Sequence, residues 1–334
     1  MVTLKEVAKI AGVSTATVSR VVNDQAKVGK KCRERVKKII EEVGYRPNFI
    51  AKSLADKSSN TIGIVTPNLS MSFFSSLACG SEHASRENGY SLVMRNSLYE
   101  TRSELDAIKS LRDHNCQSII LHSEYSDEQM LIKLAKEIPG LVFINRFIPE
   151  LAERCVWLDN QAASQTATQY LISKGHRDIA VITSVYQNRD PATRVQGVQV
   201  AMMQNSLKLK PNLIAESTAN MEGGEQAVKA LLSSKEKFTA IVAYNDLMAI
   251  GAIHALFDAG LNVPKDVSVL GFDDLDVSRA CRPKLTTMHY PIEEMAAYAT
   301  NLAVRLVNEP EKNFSNTHLF MANLVERDSV ADLS

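Results

Sequence analysis

The residues with the clearest chemical purpose lie at the start of the chain, where cations are concentrated. Residues 1–60 contain thirteen lysines and arginines and six aspartates and glutamates, whereas residues 61–334 contain 25 and 32. The neutral total therefore hides a segment of +7 beside one of −7. A cationic segment neutralises phosphates and releases counterions, and an acidic remainder avoids the same polyanion. The distribution predicts a nucleic-acid-binding N-terminus rather than an ordinary solvated face.

Short helices are predicted to bring this charge to DNA. Thr3 and Glu6 form a T-x-x-E capping box that starts a first helix, and Gly12 can adopt the positive φ that ends it. Ser14 is a good N-cap for a second helix, and a third amphipathic helix over about 30–43 completes the core. This arrangement indicates a helix–turn–helix for the major groove rather than a helical hairpin that only packs. The outward residues of the second helix are Thr15, Ala16 and Arg20.

From residue 61 the pattern changes to short β-rich runs that alternate with amphipathic stretches. This alternation predicts parallel sheets with helices on both faces. Nine runs exceed what one compact sheet usually holds, so two similar α/β lobes are expected. The first break is predicted near 159–160, and the last hundred residues should return across the gap. The predicted strands are 61–66, 90–95, 118–123, 141–145, 155–159, 179–184, 212–217, 239–244 and 267–272.

Polar residues cluster where these predicted strands end, which is where open α/β sheets bind ligands. Carboxylates and amides that bridge hydroxyls, together with flat rings, suit a neutral polyol such as a sugar, whereas a phosphate would need more cations. Each residue alone could instead cap a helix. Of the adjacent acids Asp273 and Asp274, only one should face the cleft. The set includes Asn68, Asn145, Arg146, Asp159, Asn160, Arg194, Asn245, Asp246, Asp273, Phe73, Phe74, Phe272 and Tyr290.

The sequence contains no familiar catalytic or metal-binding pattern. It has no G-x-S-x-G, H-E-x-x-H, G-x-x-x-x-G-K-[ST] or G-x-G-x-x-G segment, and its seven histidines are scattered, which favours surface or capping roles. Five cysteines without a C-x-x-C pair argue against disulfides and zinc and predict buried, reduced thiols. Without a long apolar run or a signal peptide, we expect a cytoplasmic protein, nucleoid-associated when bound to DNA, with no membrane partner. No catalysis, cofactor or metal is expected.

Several segments carry a resemblance to a known family. TLKEVAKIAGVSTATVSRVVN (3–23) and YRPNFIAKSLA (45–55) resemble the lactose/galactose repressor family of bacterial transcription regulators. The later segments NDLMAIGAI, VSVLGFDD and RPKLTTMHYPIEEM resemble its effector-binding body. The resemblance covers essentially the whole chain and implies an all-α helix–turn–helix head plus an α/β body. That body would be two doubly wound parallel-sheet lobes of the type I periplasmic-binding-protein kind.

The resemblance also implies domains and DNA contacts. The domains would be a DNA-binding head (1–46), a hinge helix and linker (47–60), and a two-lobed effector-binding and dimerisation domain (61–334). Thr15 and Ala16 would read base edges, and Arg20 would contact guanine or phosphate. Asn48 would lie in the hinge helix, where Leu54 would open the central base step. Gly29 stands where the family often has serine, so no cap or phosphate contact is carried over to it. The phosphate contacts would be Ser14, Thr17, Ser19, Asn23 and Tyr45.

A ligand and partners follow from the same resemblance. LVFINRFIPE, RCVWLDN, GGEQAVKALL and VSRACRPKLTTMHYPI are most similar to galactose repressors and isorepressors, which implies a galactose-like effector. The protein would be a homodimeric repressor of sugar-catabolism genes on a palindromic operator. One alternative is the same fold with a β-glucoside or purine effector, possibly a corepressor, and another is a cytoplasmic sugar-binding protein or enzyme with an incidental basic N-terminus. The implied cleft residues are Phe73, Phe74, Asn145, Arg146, Arg194, Asn245, Asp273 and Tyr290, with Arg194 and Asp273 as direct ligands.

Overall fold

The computed structural model describes residues 2–22, 24–45, 60–186, 188–310 and 318–334. The chain divides into two compact units, Met1–Ser59 and Asn60–Ser334, which we describe separately. Three of the predicted DNA contacts, Asn23, Asn48 and Leu54, lie outside the described residues, and so does nearly all of the proposed hinge segment.

The first unit contains the three helices that the capping signals predicted, and these are α1 (Leu4–Ala11), α2 (Thr15–Val22) and α3 (Lys30–Glu42). The Thr3 amide donates to the Glu6 carboxylate at 2.7 Å, and the Glu6 amide donates to the Thr3 hydroxyl at 3.3 Å. Gly12 ends α1 with a φ of +62°. The capping box and the glycine stop are therefore confirmed.

The three helices enclose a small apolar core that none of them could bury alone. Val7, Val18, Val21 and Val36 are buried there, one or two from each helix. The N-cap of helix α3 is Gly29, which has no side chain to cap the helix. The helix start therefore lacks the hydroxyl that would satisfy one of its free amides.

The second unit consists of two six-stranded sheets with helices packed against them. The first sheet has the order β11-β5-β4-β3-β1-β2 and the second β12-β10-β9-β8-β6-β7. Among the described strands, β12 pairs antiparallel with β10 and the other pairings are parallel. In chain order the elements are β1 (Thr61–Thr66), α4 (Ser72–Glu87), β2 (Ser91–Asn96), α5 (Thr101–Asp113), β3 (Ser118–Leu121), α6 (Glu128–Glu137), β4 (Gly140–Ile144), β5 (Cys155–Leu158), α7 (Asn160–Ser173), β6 (Ile179–Ser184), α8 (Arg189–Gln204), β7 (Ile214–Ser217), α9 (Met221–Ser233), β8 (Ala240–Ala243), α10 (Asp246–Asp258), β9 (Ser268–Asp273), α11 (Asp276–Ala280), β10 (Thr286–His289), α12 (Ile292–Asn308), β11 (His318–Phe320) and β12 (Asn323–Val325).

The chain passes between the two lobes three times. It leaves the first lobe after β5, returns with α12, which packs on α4 and behind β3 and β4, and crosses again between β11 and β12. All nine predicted strands are present, and the break near 159–160 and the late return are confirmed. The doubly wound, two-lobed fold positions the carboxyl ends of both sets of strands around one cleft.

Two side-chain expectations were wrong. Cys79 is exposed on α4, although all five cysteines were expected to be buried, and His122 and His176 are buried, although the histidines were expected in surface or capping roles. No helix within the described ranges is long and apolar enough to cross a membrane.

Candidate functional site

A cleft between the lobes gathers residues from the carboxyl ends of strands in both sheets. It has an inner chamber and an adjoining outer chamber of about 570 Å³, and His122, Glu124, Asn145 and Asp190 line both. Six of the eight predicted effector-site residues line the inner chamber, and these are Phe73, Phe74, Asn145, Arg194, Asn245 and Asp273. Arg146 lines the outer chamber.

Arg194, on α8, is the central cation of the inner chamber. Its Nε donates to the Asn160 amide oxygen at 2.8 Å and its Nη1 donates to the Tyr244 carbonyl. Its guanidinium lies 3.7 Å from the centroid of the Phe272 ring and 4.0 Å from the Asp273 carboxylate. Only 7% of the residue is exposed. A buried guanidinium held on a ring and by two acceptors is fixed in direction before any ligand arrives.

Asp273 ends β9 with a φ of +111° and faces Arg194. Burial raises the pKa of its carboxyl to about 7; the charge of Arg194 opposes this shift and that of Asp190 adds to it. The next residue, Asp274, turns away to contact Arg327. The expectation that only one of the two adjacent acids faces the cleft is confirmed.

Asn145 connects the two lobes. It follows β4 with a φ of +59° and donates to the Asp190 carboxylate at 2.8 Å. The other Asp190 oxygen accepts from the Asn160 amide at 3.1 Å. The first lobe is therefore hydrogen-bonded to the first turn of α8, four residues before Arg194.

Tyr290 does not line the cavity, which corrects its prediction as a cleft residue. It is 2% exposed, its hydroxyl donates to the Asn145 side-chain oxygen, and its ring packs edge-on against Phe73 at 5.1 Å. Since the hydroxyl and amide of these two side chains are paired, Tyr290 orients Asn145 from behind.

The remaining predicted residues have mixed roles. Asn245 caps α10, since its side-chain oxygen accepts from the Met248 amide at 2.9 Å, so the capping alternative holds for it even though it lines the chamber. Arg146 donates to the Ser123 carbonyl at 3.3 Å. Phe74 packs edge-on against the His122 ring at 5.0 Å.

Sequence reasoning missed a group of acids and tyrosines. Asp190 and Glu124 line both chambers, and Tyr99 of the first lobe stacks on Tyr186 of the second with ring centroids 5.5 Å apart. Burial, with the charges of Asp190 and Glu104, raises the pKa of Glu124 to about 8. Glu124 and Asp190 follow β3 and β6, so the strand-end rule applied to those two strands would have found them. Within the described ranges, no group of three or more His, Cys, Asp or Glu side chains could hold a metal ion.

In the N-terminal unit, the predicted base-reading residues share one exposed surface of α2. Thr15, Ala16 and Arg20 are exposed, while Val18 and Val21 of the same helix are buried. The Ser14 hydroxyl accepts from the Thr17 amide at 3.1 Å and lies 2.9 Å from the Thr17 hydroxyl. Ser19 is partly buried, and Tyr45 packs against the apolar core.

Comparison with known proteins was consistent in both units. Residues 3–48 match the lacI family of bacterial regulatory proteins, and residues 168–330 match a periplasmic binding protein-like domain. The HTH-type transcriptional regulators GalR and GalS of Salmonella typhimurium are each 39% identical to this chain over 99% of its length, covering 96% and 97% of their own. AscG of Escherichia coli is 34% identical over 99% of this chain and 98% of its own.

Solved structures give the same result. The lac repressor dimer bound to operator and an anti-inducer superposes with a TM-score of 0.88 and 26% identity over 99% of both chains. The complex of the transcriptional regulator CelR with cellobiose superposes with a TM-score of 0.72 and 28% identity over 98% of this chain and 100% of that one. This chain therefore belongs to the LacI family of bacterial transcriptional regulators, DNA-binding proteins with a periplasmic-binding-protein-like body and not enzymes.

Proposed function

We propose that this protein is a homodimeric repressor of sugar-catabolism genes that binds a palindromic operator and releases it when galactose enters the cleft. The observation that carries the ligand class is the preset pair of Arg194 and Asp273 in a chamber that the Phe73 ring also lines. A buried donor and acceptor about 4 Å apart can bridge two neighbouring hydroxyls, and a flat ring can cover the C–H face of a pyranose.

Galactose is our first candidate among sugars because GalR and GalS are among the most similar relatives. The solved complex of CelR with cellobiose shows that a member of this fold takes a different sugar, so a β-glucoside is the main competitor. A purine fits the cleft less well, since the inner chamber combines one guanidinium with the carboxyl groups of Asp190, Asp273 and Glu124. These oxygens are suited to hydroxyl donors.

On the DNA side, we propose that Thr15 and Ala16 read base edges in the major groove and that Arg20 contacts guanine or phosphate. Two heads related by a twofold axis would read half-sites about 34–36 Å apart. Residues 47–60 remain a proposed hinge, with Asn48 and Leu54 in the minor groove. The proposed phosphate contacts are Ser14, Thr17, Ser19, Asn23 and Tyr45.

The test is an operator-binding titration with galactose, using the full chain and its Asp273→Asn variant. We expect galactose to weaken operator binding by the wild type, and the variant to need far more sugar for the same effect. Linkage requires operator to weaken galactose binding by the same factor. Operator affinity that stays constant at saturating galactose would count against induction by this sugar.

Two further measurements separate the rivals. A thermal-shift panel of galactose, a β-glucoside and a purine identifies the effector class, and the sign of its effect on operator binding distinguishes inducer from corepressor. Deletion of residues 1–60 should abolish operator binding and retain sugar binding, because residues Asn60–Ser334 form a compact unit of their own. If the protein were a sugar carrier with an incidental basic N-terminus, the full chain would not bind the operator.

A further inference from the structure

The acid that faces the proposed sugar sits on an unusual stretch of backbone. Asp273 has a φ of +111° and Asp274 a φ of +60°, so two consecutive residues with side chains lie in the left-handed half of conformational space. Such positions persist only when the surrounding structure holds them. Because the residues are adjacent, whatever fixes Asp274 also fixes the direction of Asp273.

Asp274 is held mainly by one cation. Its carboxylate receives Arg327 Nη2 at 2.5 Å, and it also contacts His289 Nδ1 at 3.2 Å and Arg279 Nη2 at 3.4 Å. The side chains of Asp274 and Arg327 are 4% and 11% exposed, whereas that of Arg279 is 62% exposed. A shielded, charge-assisted bond restrains its partner far more than an exposed pair does.

Arg327 is itself anchored, so it can hold Asp274 in one place. Its Nη1 donates to the Ser278 hydroxyl at 2.9 Å and to the Leu285 carbonyl at 2.8 Å, and its backbone amide donates to the Thr286 hydroxyl at 2.9 Å. Burial alone would raise the pKa of the Asp274 carboxyl, but the bond from Arg327 and the nearby cations lower it. The carboxylate therefore stays charged at neutral pH.

The other end of the turn is fixed as well. The Leu275 amide donates to the Asp246 carboxylate at 2.8 Å, and the Tyr290 amide donates to the Asp273 carbonyl at 3.2 Å. Asp273 is thus the member of the turn whose side chain remains directed at Arg194 and the cleft.

We propose that Arg327 is a positioning residue for sugar binding, which acts by clamping Asp274 and so aiming Asp273 at the ligand. Arg327 lies two residues beyond β12, the strand that the chain enters after its third passage between the lobes. The C-terminal segment thereby completes a binding site that it does not line. The inference rests on the proposed function, since it takes Asp273 as a sugar ligand.

The test is a double-mutant cycle measured as galactose affinity by calorimetry on the full chain. We expect Arg327→Gln to weaken galactose binding about tenfold and Asp273→Asn to weaken it more. In the Asp273→Asn background, Arg327→Gln should weaken galactose binding less than twofold, because the carboxylate that Arg327 positions is already absent. If the double variant instead loses affinity by the product of the two single factors, Arg327 acts independently of Asp273. That result would show a general structural role and overturn the proposal.

Matched variants control for charge and folding. Arg279→Gln removes an exposed cation from the same carboxylate and should change galactose affinity less than twofold. Arg327→Lys should recover part of the lost affinity, because it restores the charge without the planar set of N–H donors of a guanidinium. If Arg327→Gln fails to fold, Asp274→Asn removes the same ion pair and should give the same loss. Lack of galactose binding by the wild type would overturn the proposed effector, whereas normal wild-type binding with an unaffected Arg327→Gln would overturn the positioning role alone.

Discussion

Replacement of Arg194 by methionine should be among the most damaging single changes in the cleft. The guanidinium bonds the side chain of Asn160 and the carbonyl of Tyr244, and it lies on the Phe272 ring. Methionine fills much of the same space and cannot donate to either acceptor. Both acceptors are then buried without their donor.

The size of the effect can be worked from these contacts. Two hydrogen bonds from a charged donor contribute about 1.5–3 kcal/mol each, and the cation–ring contact adds about 1 kcal/mol. Burial of the apolar methionine side chain offsets about 1.5–3 kcal/mol of this loss. The net loss in free energy of unfolding should be about 3 kcal/mol at pH 7, where Asp273 can take up a proton and so limit the charge penalty. Since the pKa of Asp273 is about 7 with Arg194 present, the loss should be about 1 kcal/mol larger at pH 8 than at pH 6.

The assay is urea unfolding followed by the fluorescence of Trp157, which is the only tryptophan of the chain. The matched control is Arg189→Met, five residues earlier on α8, because Arg189 is 77% exposed and pairs with Glu128 at 2.8 Å. That control should lose less than about 1 kcal/mol. If Arg194→Met loses no more free energy of unfolding than Arg189→Met, the reasoning is refuted. Unchanged galactose affinity of the Arg194→Met variant would refute it as well.

Three other changes have defined outcomes. Gly29→Ser supplies the missing cap of α3, where a Cβ meets nothing within 4 Å, and should raise the stability of the N-terminal unit by a few tenths of a kcal/mol in thermal unfolding; a loss would contradict the cap. Gly80→Ala places a Cβ 2.1 Å from the Glu293 carbonyl oxygen, so α4 and α12 must move apart. This should lower the free energy of unfolding in urea by about 1–3 kcal/mol, and an unchanged midpoint would contradict this packing. Glu124, with its pKa raised to about 8, contributes stability that is complete below about pH 4.5 and is lost as the pH rises through 8. Glu124→Gln should therefore flatten the fall in Tm between pH 5 and 9, and an unchanged slope would argue against a protonated Glu124.

The fold was largely predictable because its signals are local. Buried parallel strands are continuous apolar runs, so TIGIVT and IAVITS gave β1 and β6 with their observed ends. The run at 212–217 began two residues early, because Pro211 starts a short 3-10 turn before β7. Capping is equally local, since Thr3 and Glu6 are three residues apart and need no tertiary contact.

The site was only partly predictable because its geometry depends on distant pairs. The strand-end rule placed Asn145 and Asp273 at the cleft, but the hydroxyl that orients Asn145 belongs to Tyr290, 145 residues later. An aromatic residue near a strand end gives no sign of whether its ring lines a cavity or lies behind one. The clamp on Asp274 is hidden in the same way, since Arg327 follows 53 residues later in the C-terminal segment.

The polar contacts across the cleft also limit what a sugar can change. Asn145 and Asp190 already join the lobes at 2.8 Å, and Arg189 and Glu128, which line the outer chamber, join them at 2.8 Å. A sugar that merely replaced these bonds one for one would bind the closed and open arrangements with similar free energies and would shift nothing. It must therefore gain contacts beyond these bonds. Among the described residues that line the cleft, the candidates are Glu124 Oε2 and His122 Nδ1, which have no hydrogen-bond partner, and the Asp273 carboxylate, which lies 4.0 Å from Arg194. Because the free energy that couples sugar to operator can come only from such differences, these three side chains, rather than the ones already hydrogen-bonded, should set how strongly the effector acts on DNA binding.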